Sequence, residues 1–205
     1  MESSIPVFGA YMKNIDNLRD QIAAKFGEKI FSEPFGSALN SNLHGVPGEF
    51  QFDEILDYVQ KRVDYKSLNW VEIGTCCGIS TLKLVYSNFA NRVFTFDTLD
   101  TKIRHDIWEK FYAKEYIDSF ILKNSEEIRA AISKLDFDLA YIDGSHIYKD
   151  VVYDIETVER CGRIIFHDYD LYSKNEVMKA VHDLIYRRGG RFFAIPPFAY
   201  WEATE

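Results

Sequence analysis

From Trp70 onward the chain alternates short apolar runs with amphipathic stretches, and this alternation constrains the fold more than any other feature. Apolar runs at 69–73, 92–96, 119–122, 138–142 and 162–166 read as strands. Between them, 80–87, roughly 103–115, 125–135 and 148–159 are compatible with helix. Strands joined through helices lie parallel, and their crossovers are nearly always right-handed. The strand runs are apolar throughout rather than alternating, as expected where helices cover both faces of a sheet. After one more helix at 176–188, the segments 191–195 and 198–203 flank Pro196-Pro197 and read as an antiparallel hairpin at the sheet edge. The expected class is α/β: a doubly wound, mostly parallel, seven-stranded sheet with a C-terminal antiparallel hairpin.

Ahead of the sheet, 15–26 places Ile15, Leu18, Ile22 and Ala23 on one helical face, and 52–63 does the same for Phe52, Ile55, Leu56 and Val59. The stretch between, 31–50, is rich in Gly, Pro, Ser and Asn and is long for a loop inside one domain. It reads either as a lid carrying His44 and Phe50 or as a plain surface linker. Two regions follow: an N-terminal helical extension with the lid loop at 1–66, and the sheet domain at 67–205. A hydrophobic content of 47% is enough for a buried core and excludes disorder. With 24 basic against 32 acidic residues the net charge is −8, which opposes generic binding to nucleic acid or an anionic membrane. No apolar run could span a bilayer, and the opening Met-Glu-Ser-Ser-Ile-Pro is not a signal sequence. Three cysteines, with Cys76 and Cys77 adjacent, make neither a disulfide framework nor a CxxC pair. A cytoplasmic protein with no nucleic-acid or membrane partner is expected.

In open parallel sheets ligands bind beyond the carboxyl ends of the strands, where strand order reverses. The first strand runs into Glu72-Ile73-Gly74-Thr75-Cys76-Cys77-Gly78-Ile79-Ser80. Gly74 permits a tight turn, Gly78 permits backbone to approach a ligand, and the helix that follows offers free N–H groups to an anionic group. Ser80 could donate to the same group. The G-x-x-x-G spacing is neither the dinucleotide G-x-G-x-x-G nor a P-loop. Asp97, at the tip of the second strand, stands about 20 positions further on, where an acid commonly holds a ribose diol with its two oxygens. A structural strand–helix turn and a solvated strand-end Asp are the plain alternatives.

Taken together, Glu72-Ile73-Gly74-x-x-x-Gly78-x-Ser80, Asp97, Asp143-Gly144-Ser145-His146-x-Tyr148 and Gly162-Arg163-Ile164-Ile165-Phe166-His167-Asp168-Tyr169 resemble a class I S-adenosylmethionine-dependent methyltransferase. The likeness is to the small-molecule O-methyltransferases, catechol-type and sugar-methylating enzymes included, and runs from Trp70 to the C-terminus. The resemblance implies a Rossmann-like fold with S-adenosyl-L-methionine as cofactor. It implies that Glu72 orients the glycine loop or reaches the methionine ammonium, and that Gly74 and Gly78 let the cofactor pass close to backbone. Ser80 would touch the carboxylate end of the cofactor, Asp97 the ribose hydroxyls, Asn124 and Ser125 the adenine, and Asp143 the methionine part beside the transferred methyl. The implied reaction is methyl transfer to a hydroxyl of a small-molecule acceptor (a phenol, sugar or natural product), with a homodimer as the family-level expectation. An N-methyltransferase or a catalytically silent cofactor-binding scaffold fits the same motifs; a nicotinamide dehydrogenase fits the glycine spacing poorly.

For the acceptor side, Asp143, His146, His167, Asp168 and Asp170 follow the fourth and fifth strands. Three readings stay open. Asp143, His167 and Asp168 could hold Mg²⁺ or Mn²⁺ and so lower the acceptor's pKa. His146 or His167 could instead be the catalytic base. Or these residues cap strand ends and bond locally. His167 stands where the related enzymes often carry Asp. Trp108, Tyr148, Tyr169 and Tyr172 read as acceptor-stacking residues or as core, and the adjacent cysteines as small packing residues of the glycine loop. Pro196-Pro197-Phe198 lacks the position of the Pro-Pro-aromatic element of nucleic-acid amino-methylating enzymes and reads as a hairpin turn.

Overall fold

The computed structural model describes residues 18–26, 49–63, 68–87, 90–170 and 175–204. Five strands follow the expected runs: β1 (Leu68–Ile73), β2 (Ala90–Asp97), β3 (Ile117–Ile121), β4 (Leu139–Ile142) and β5 (Arg163–Phe166). The expected hairpin is β6 (Arg191–Ile195) and β7 (Phe198–Glu202). They form one sheet in the order β3-β2-β1-β4-β5-β7-β6, parallel except where β7 runs antiparallel to β5 and β6. The chain leaves β1 towards β2 and β3, then returns to lay β4 on the other side of β1. A crevice therefore opens at the carboxyl ends of β1 and β4.

Side chains alternate across each strand, so β1 gives Leu68 and Trp70 to one face and Val71 and Ile73 to the other. On the first face lie α1 (Leu18–Phe26), α2 (Glu49–Gln60), α3 (Ile79–Tyr86) and α4 (Lys102–Lys110), contributing Ile22, Phe52, Leu82 and Trp108 to the core. On the second lie α5 (Ser125–Ile132), α6 (Tyr148–Val158) and α7 (Glu176–Arg188), contributing Ile128, Ile155 and Val181. The helices of the N-terminal extension thus share the core of the sheet: the Phe52 ring stacks on Phe198 of β7 with centroids 4.9 Å apart. The expected lid loop, His44 included, lies outside the described residues up to position 48.

Several boundaries differ from the sequence reading: α2 starts at Glu49 rather than 52 and so takes in Phe50, expected in the loop, β2 starts at Ala90 rather than 92, and α5 ends at Ile132 rather than 135. β3 begins at Ile117 rather than 119, because Ile117 and Asp118 pair with Val93 and Phe94 and Asp118 binds Arg92. A half-exposed edge strand whose second and third residues, Asp118 and Ser119, are polar carries little hydrophobic signal. α4 ends at Lys110 rather than 115, since Tyr112 turns into the left-handed region at φ 56° and starts a short 3₁₀ turn at Lys114–Tyr116. Among the described residues, no helix is long and apolar enough to cross a membrane.

Candidate functional site

Glu72, expected either to orient the glycine loop or to reach a ligand ammonium, is fully buried on the α3 face of β1. Its Oε1 accepts the Ser80 hydroxyl at 2.6 Å, and its Oε2 accepts those of Thr81 at 2.5 Å and Thr95 at 2.6 Å. β1, β2 and the first turn of α3 are thereby tied at one carboxyl group. Burial outweighs the three donors and pushes the Glu72 pKa up to about 7, with the Asp143 charge adding to the rise. Ser80, expected at the carboxylate end of the cofactor, directs its proton to Glu72.

Both glycines of the loop, expected to let a cofactor pass close to backbone, are packed hard against other parts of the chain. Both have left-handed φ, 92° at Gly74 and 75° at Gly78. A Cβ on Gly74 would lie 2.1 Å from the Asp143 carbonyl oxygen, so this glycine lets the ends of β1 and β4 close together. A Cβ on Gly78 would lie 2.5 Å from Trp108 Nε1, which donates to the Gly78 carbonyl at 2.9 Å. Trp108 is therefore a support of the loop from α4, not an acceptor-stacking residue.

Beyond the carboxyl ends of β1, β2 and β4 lies a cavity of about 450 Å³, walled by Gly74, Cys76, Asp97, Asp143 and, further along, Ser125 and Ile128. Asp97 organises its rim. One carboxylate oxygen, Oδ2, accepts the backbone N–H groups of Thr75 at 3.1 Å and Cys76 at 2.8 Å and pairs with Arg104 at 3.3 Å. The other, Oδ1, accepts the Leu99 N–H at 3.0 Å and keeps a lone pair for a ligand. Of the two oxygens expected to hold a ribose diol, Oδ2 thus carries the contacts that clamp the loop. Arg104 is completely buried, and its charge is balanced by this contact and by Asp100 Oδ1 at 3.5 Å.

Four carboxylates face the cavity: Asp97, Asp143, Asp150 and Asp154. The last two, one helical turn apart on α6, escaped the sequence reading although their i,i+4 spacing puts them on one face. Asp150 accepts the Ser145 hydroxyl at 2.9 Å. Asp154 is 6% exposed, and burial, with the Asp150 charge, pushes its pKa up to about 7 against the pull of Arg129. Of the expected cofactor residues, Gly74, Asp97, Ser125 and Asp143 line the cavity, and Glu72, Gly78 and Ser80 are not in its wall. Asn124 caps α5, its side-chain oxygen accepting the Glu127 N–H at 2.9 Å.

At the end of the cavity marked by Asp143, the sheet gathers the expected acceptor-side residues. His167 Nδ1 lies 2.8 Å from Asp143 Oδ1 and 3.4 Å from Asp168 Oδ2, and its ring stacks on Phe198. His146 Nε2 reaches Asp168 Oδ2 at 2.8 Å from an exposed position. Asp168 holds φ at 53°, a conformation uncommon for a residue with a side chain. Asp143, His167 and Asp168 each offer a ligand atom within 4.8 Å of the others. Burial pulls the His167 pKa down, but the charge and hydrogen bond of Asp143, with Asp168, outweigh it and leave the imidazole above its ordinary value. Two tyrosines expected as acceptor-stacking candidates have structural partners instead: Tyr169 is buried with its hydroxyl 2.9 Å from His182 Nε2, and Tyr148 binds Asp183. Tyr172 lies outside the described residues.

This arrangement of crevice, glycine loop and strand-end acids coincides with a family match: residues 71–169 fit the family model described as a methyltransferase domain. The fold is Rossmann-like, of the methyltransferase type. Solved structures carry the likeness over most of the chain. A putative caffeoyl-CoA O-methyltransferase from Staphylococcus aureus superposes with a TM-score of 0.62 at 15% identity, covering 92% of this chain and 97% of its own. An O-methyltransferase from Bacillus cereus, solved with SAH, gives 0.59 at 16%, covering 90% and 96%. The C-terminal domain of precorrin-6Y C5,15-methyltransferase from Rhodobacter capsulatus gives 0.52 at 13%, covering 74% and 89%. At such identities the likeness is one of fold. No curated protein matches the sequence.

Proposed function

We propose that this methyltransferase moves a methyl group from S-adenosylmethionine to a hydroxyl of a small molecule. The observation that carries the reading is the cavity at the β1–β4 switch point, bounded by Gly74, Asp97 and Asp143 and adjoining His167. Its volume is of the size that small-molecule cofactors occupy. The residues present fit the group: Asp97 Oδ1 retains a lone pair for a ribose hydroxyl, Ser125 and Ile128 lie at the far wall for a base, and the Asp143 carboxylate suits a cationic centre. When bound, the cofactor supplies an electrophilic methyl group activated by its sulfonium. The protein supplies alignment, worth on the order of 7–11 kcal/mol in well-oriented reactions.

Deprotonation of the acceptor falls to the group at the ends of β4 and β5. With its Nδ1 proton held by Asp143, His167 has its other ring nitrogen to take a proton, and the carboxylate then stabilises the imidazolium. The gathering of Asp143, His167 and Asp168 favours a second reading as well. Two carboxylates and an imidazole fit a hard divalent ion such as Mg²⁺ or Mn²⁺, which would make an acceptor hydroxyl more acidic. Turnover of a panel of phenols, sugars and amines, measured with and without EDTA, tests both. Methylation of hydroxyl acceptors that survives EDTA supports the His167 base, and loss rescued by Mg²⁺ or Mn²⁺ supports the metal. Methylation of amines alone overturns the O-methyl assignment, and cofactor binding with no acceptor turned over makes the chain a scaffold.

A further inference from the structure

We propose that Cys76 and Cys77 form a peroxide-sensitive, reversible disulfide in the cofactor loop, one that opens the loop and lowers cofactor affinity. The two sulfurs lie 3.7 Å apart. Their surroundings are unequal: Cys76 is exposed and lines the cavity, whereas Cys77 is 1% exposed beneath the loop. An oxidant therefore reaches the first sulfur and not the second. A solvent-reached thiol with a resolving thiol beside it is the arrangement of redox-sensing cysteines. The hydrogen bond from Cys77 favours the Cys76 thiolate and brings its pKa down to about 7, against the opposing effect of burial, while the Cys77 thiol is pushed up by the same contact.

The chemistry balances with a hydroperoxide as oxidant. The Cys76 thiolate attacks a peroxide oxygen, the O–O bond breaks, and the alcohol or water leaves with a proton; Cys76 becomes a sulfenic acid and the peroxide is reduced. The Cys77 sulfur then attacks Cys76, the S–O bond breaks, water leaves, and the S–S bond forms. Neighbouring Cα atoms are about 3.8 Å apart, shorter than the roughly 4.4–6.8 Å usual across disulfides, so the bond is strained and easily reduced.

The consequence lies in the backbone. Cys76 already holds a left-handed φ of 45°, its N–H is clamped by Asp97 at 2.8 Å, and its carbonyl accepts the Thr101 hydroxyl at 3.0 Å. Closing the eight-membered ring turns the Cys76–Cys77 peptide and pulls these clamps from the rim where Asp97 meets the cavity. This effect on affinity rests on the cofactor reading above; the disulfide itself does not.

The test treats the full-length protein with hydrogen peroxide, alkylates the free thiols, and reads masses of the intact chain and of the tryptic peptide at 67–83. The expected result is a loss of about 2 Da in that peptide, with both thiols closed to alkylation and reopened by dithiothreitol. With Cys77→Ser, Cys76 should instead stop as a sulfenic acid that dimedone traps. Calorimetry with S-adenosylhomocysteine should show affinity falling at least about tenfold on oxidation and returning on reduction. A peptide that keeps both thiols, a disulfide between two chains, or direct passage of Cys76 to sulfinic acid would overturn the proposal. Unchanged affinity in the oxidised protein would overturn its gating role. A reduced protein that binds no S-adenosylhomocysteine overturns the cofactor reading instead, and the mass at 67–83 still decides on the disulfide.

Discussion

Replacing Glu72 by Gln isolates the cost of burying an acid at the sheet–loop junction. The folded protein raises the Glu72 pKa from the ordinary 4.5 to about 7. Below pH 4.5 the group is protonated folded and unfolded, and stability is unaffected. Between 4.5 and 7 the unfolded chain gives up the proton while the folded one keeps it, so stability falls as pH rises; above 7 the whole penalty is present. Each pKa unit is about 1.4 kcal/mol, which makes the penalty about 3 kcal/mol. Gln keeps the local bonds: its oxygen can accept from Thr81 and Thr95 while its amide donates to a turned Ser80 hydroxyl. Urea unfolding of both proteins at pH 4, 5.5, 7 and 8.5 should therefore give curves that diverge. The variant should gain about 3 kcal/mol on the wild type between the two ends of that range. A difference constant to within about 0.5 kcal/mol across the range would refute a neutral Glu72.

Asp97→Ala should destabilise the fold by about 3 kcal/mol, because it removes the nearer of the two carboxylates paired with the buried Arg104 and leaves three backbone N–H groups without their acceptor. Adding Arg104→Met should recover most of that loss in chemical denaturation without restoring cofactor binding. Asp154→Asn should raise stability at pH 8 by about 2 kcal/mol or more and change nothing at pH 3.5, since the wild-type carboxyl also resists ionisation up to about 7. His167→Ala should cut turnover by about a hundredfold while leaving S-adenosylhomocysteine affinity intact. If His167 is the base, wild-type turnover should climb with pH through a value above the ordinary imidazole range, and the variant's profile should be flat; a steep variant profile would exclude that role.

The sheet was readable because its central strands are buried on both faces. Trp70-Val71-Glu72-Ile73 and Ile164-Ile165-Phe166 leave no other interpretation once helices fall between them. The edge strand β3 was less so, its first residues being held by pairing with β2 and by the Arg92–Asp118 contact rather than by hydrophobicity. At the site, Asp97 and Asp143 could be placed because strand ends define where ligands bind. What local spacing could not show was how distant chain reuses those residues. Gly78 answers to Trp108, thirty positions away, and Oδ2 of Asp97 answers to the loop of β1 and to Arg104. Asp154 was visible as a helical neighbour of Asp150, but its burial depends on how α6 lies against the β4 end.

The central claim is that the cavity at the β1–β4 switch point binds a sulfonium nucleoside cofactor. Isothermal calorimetry of S-adenosylhomocysteine against the wild type and the Asp97→Ala/Arg104→Met protein, each checked as folded by its melting transition, tests it most directly. Binding on the order of micromolar in the wild type and none in the double variant is the outcome this account requires. Equal affinity in both proteins, or no binding to a folded wild type, would contradict it.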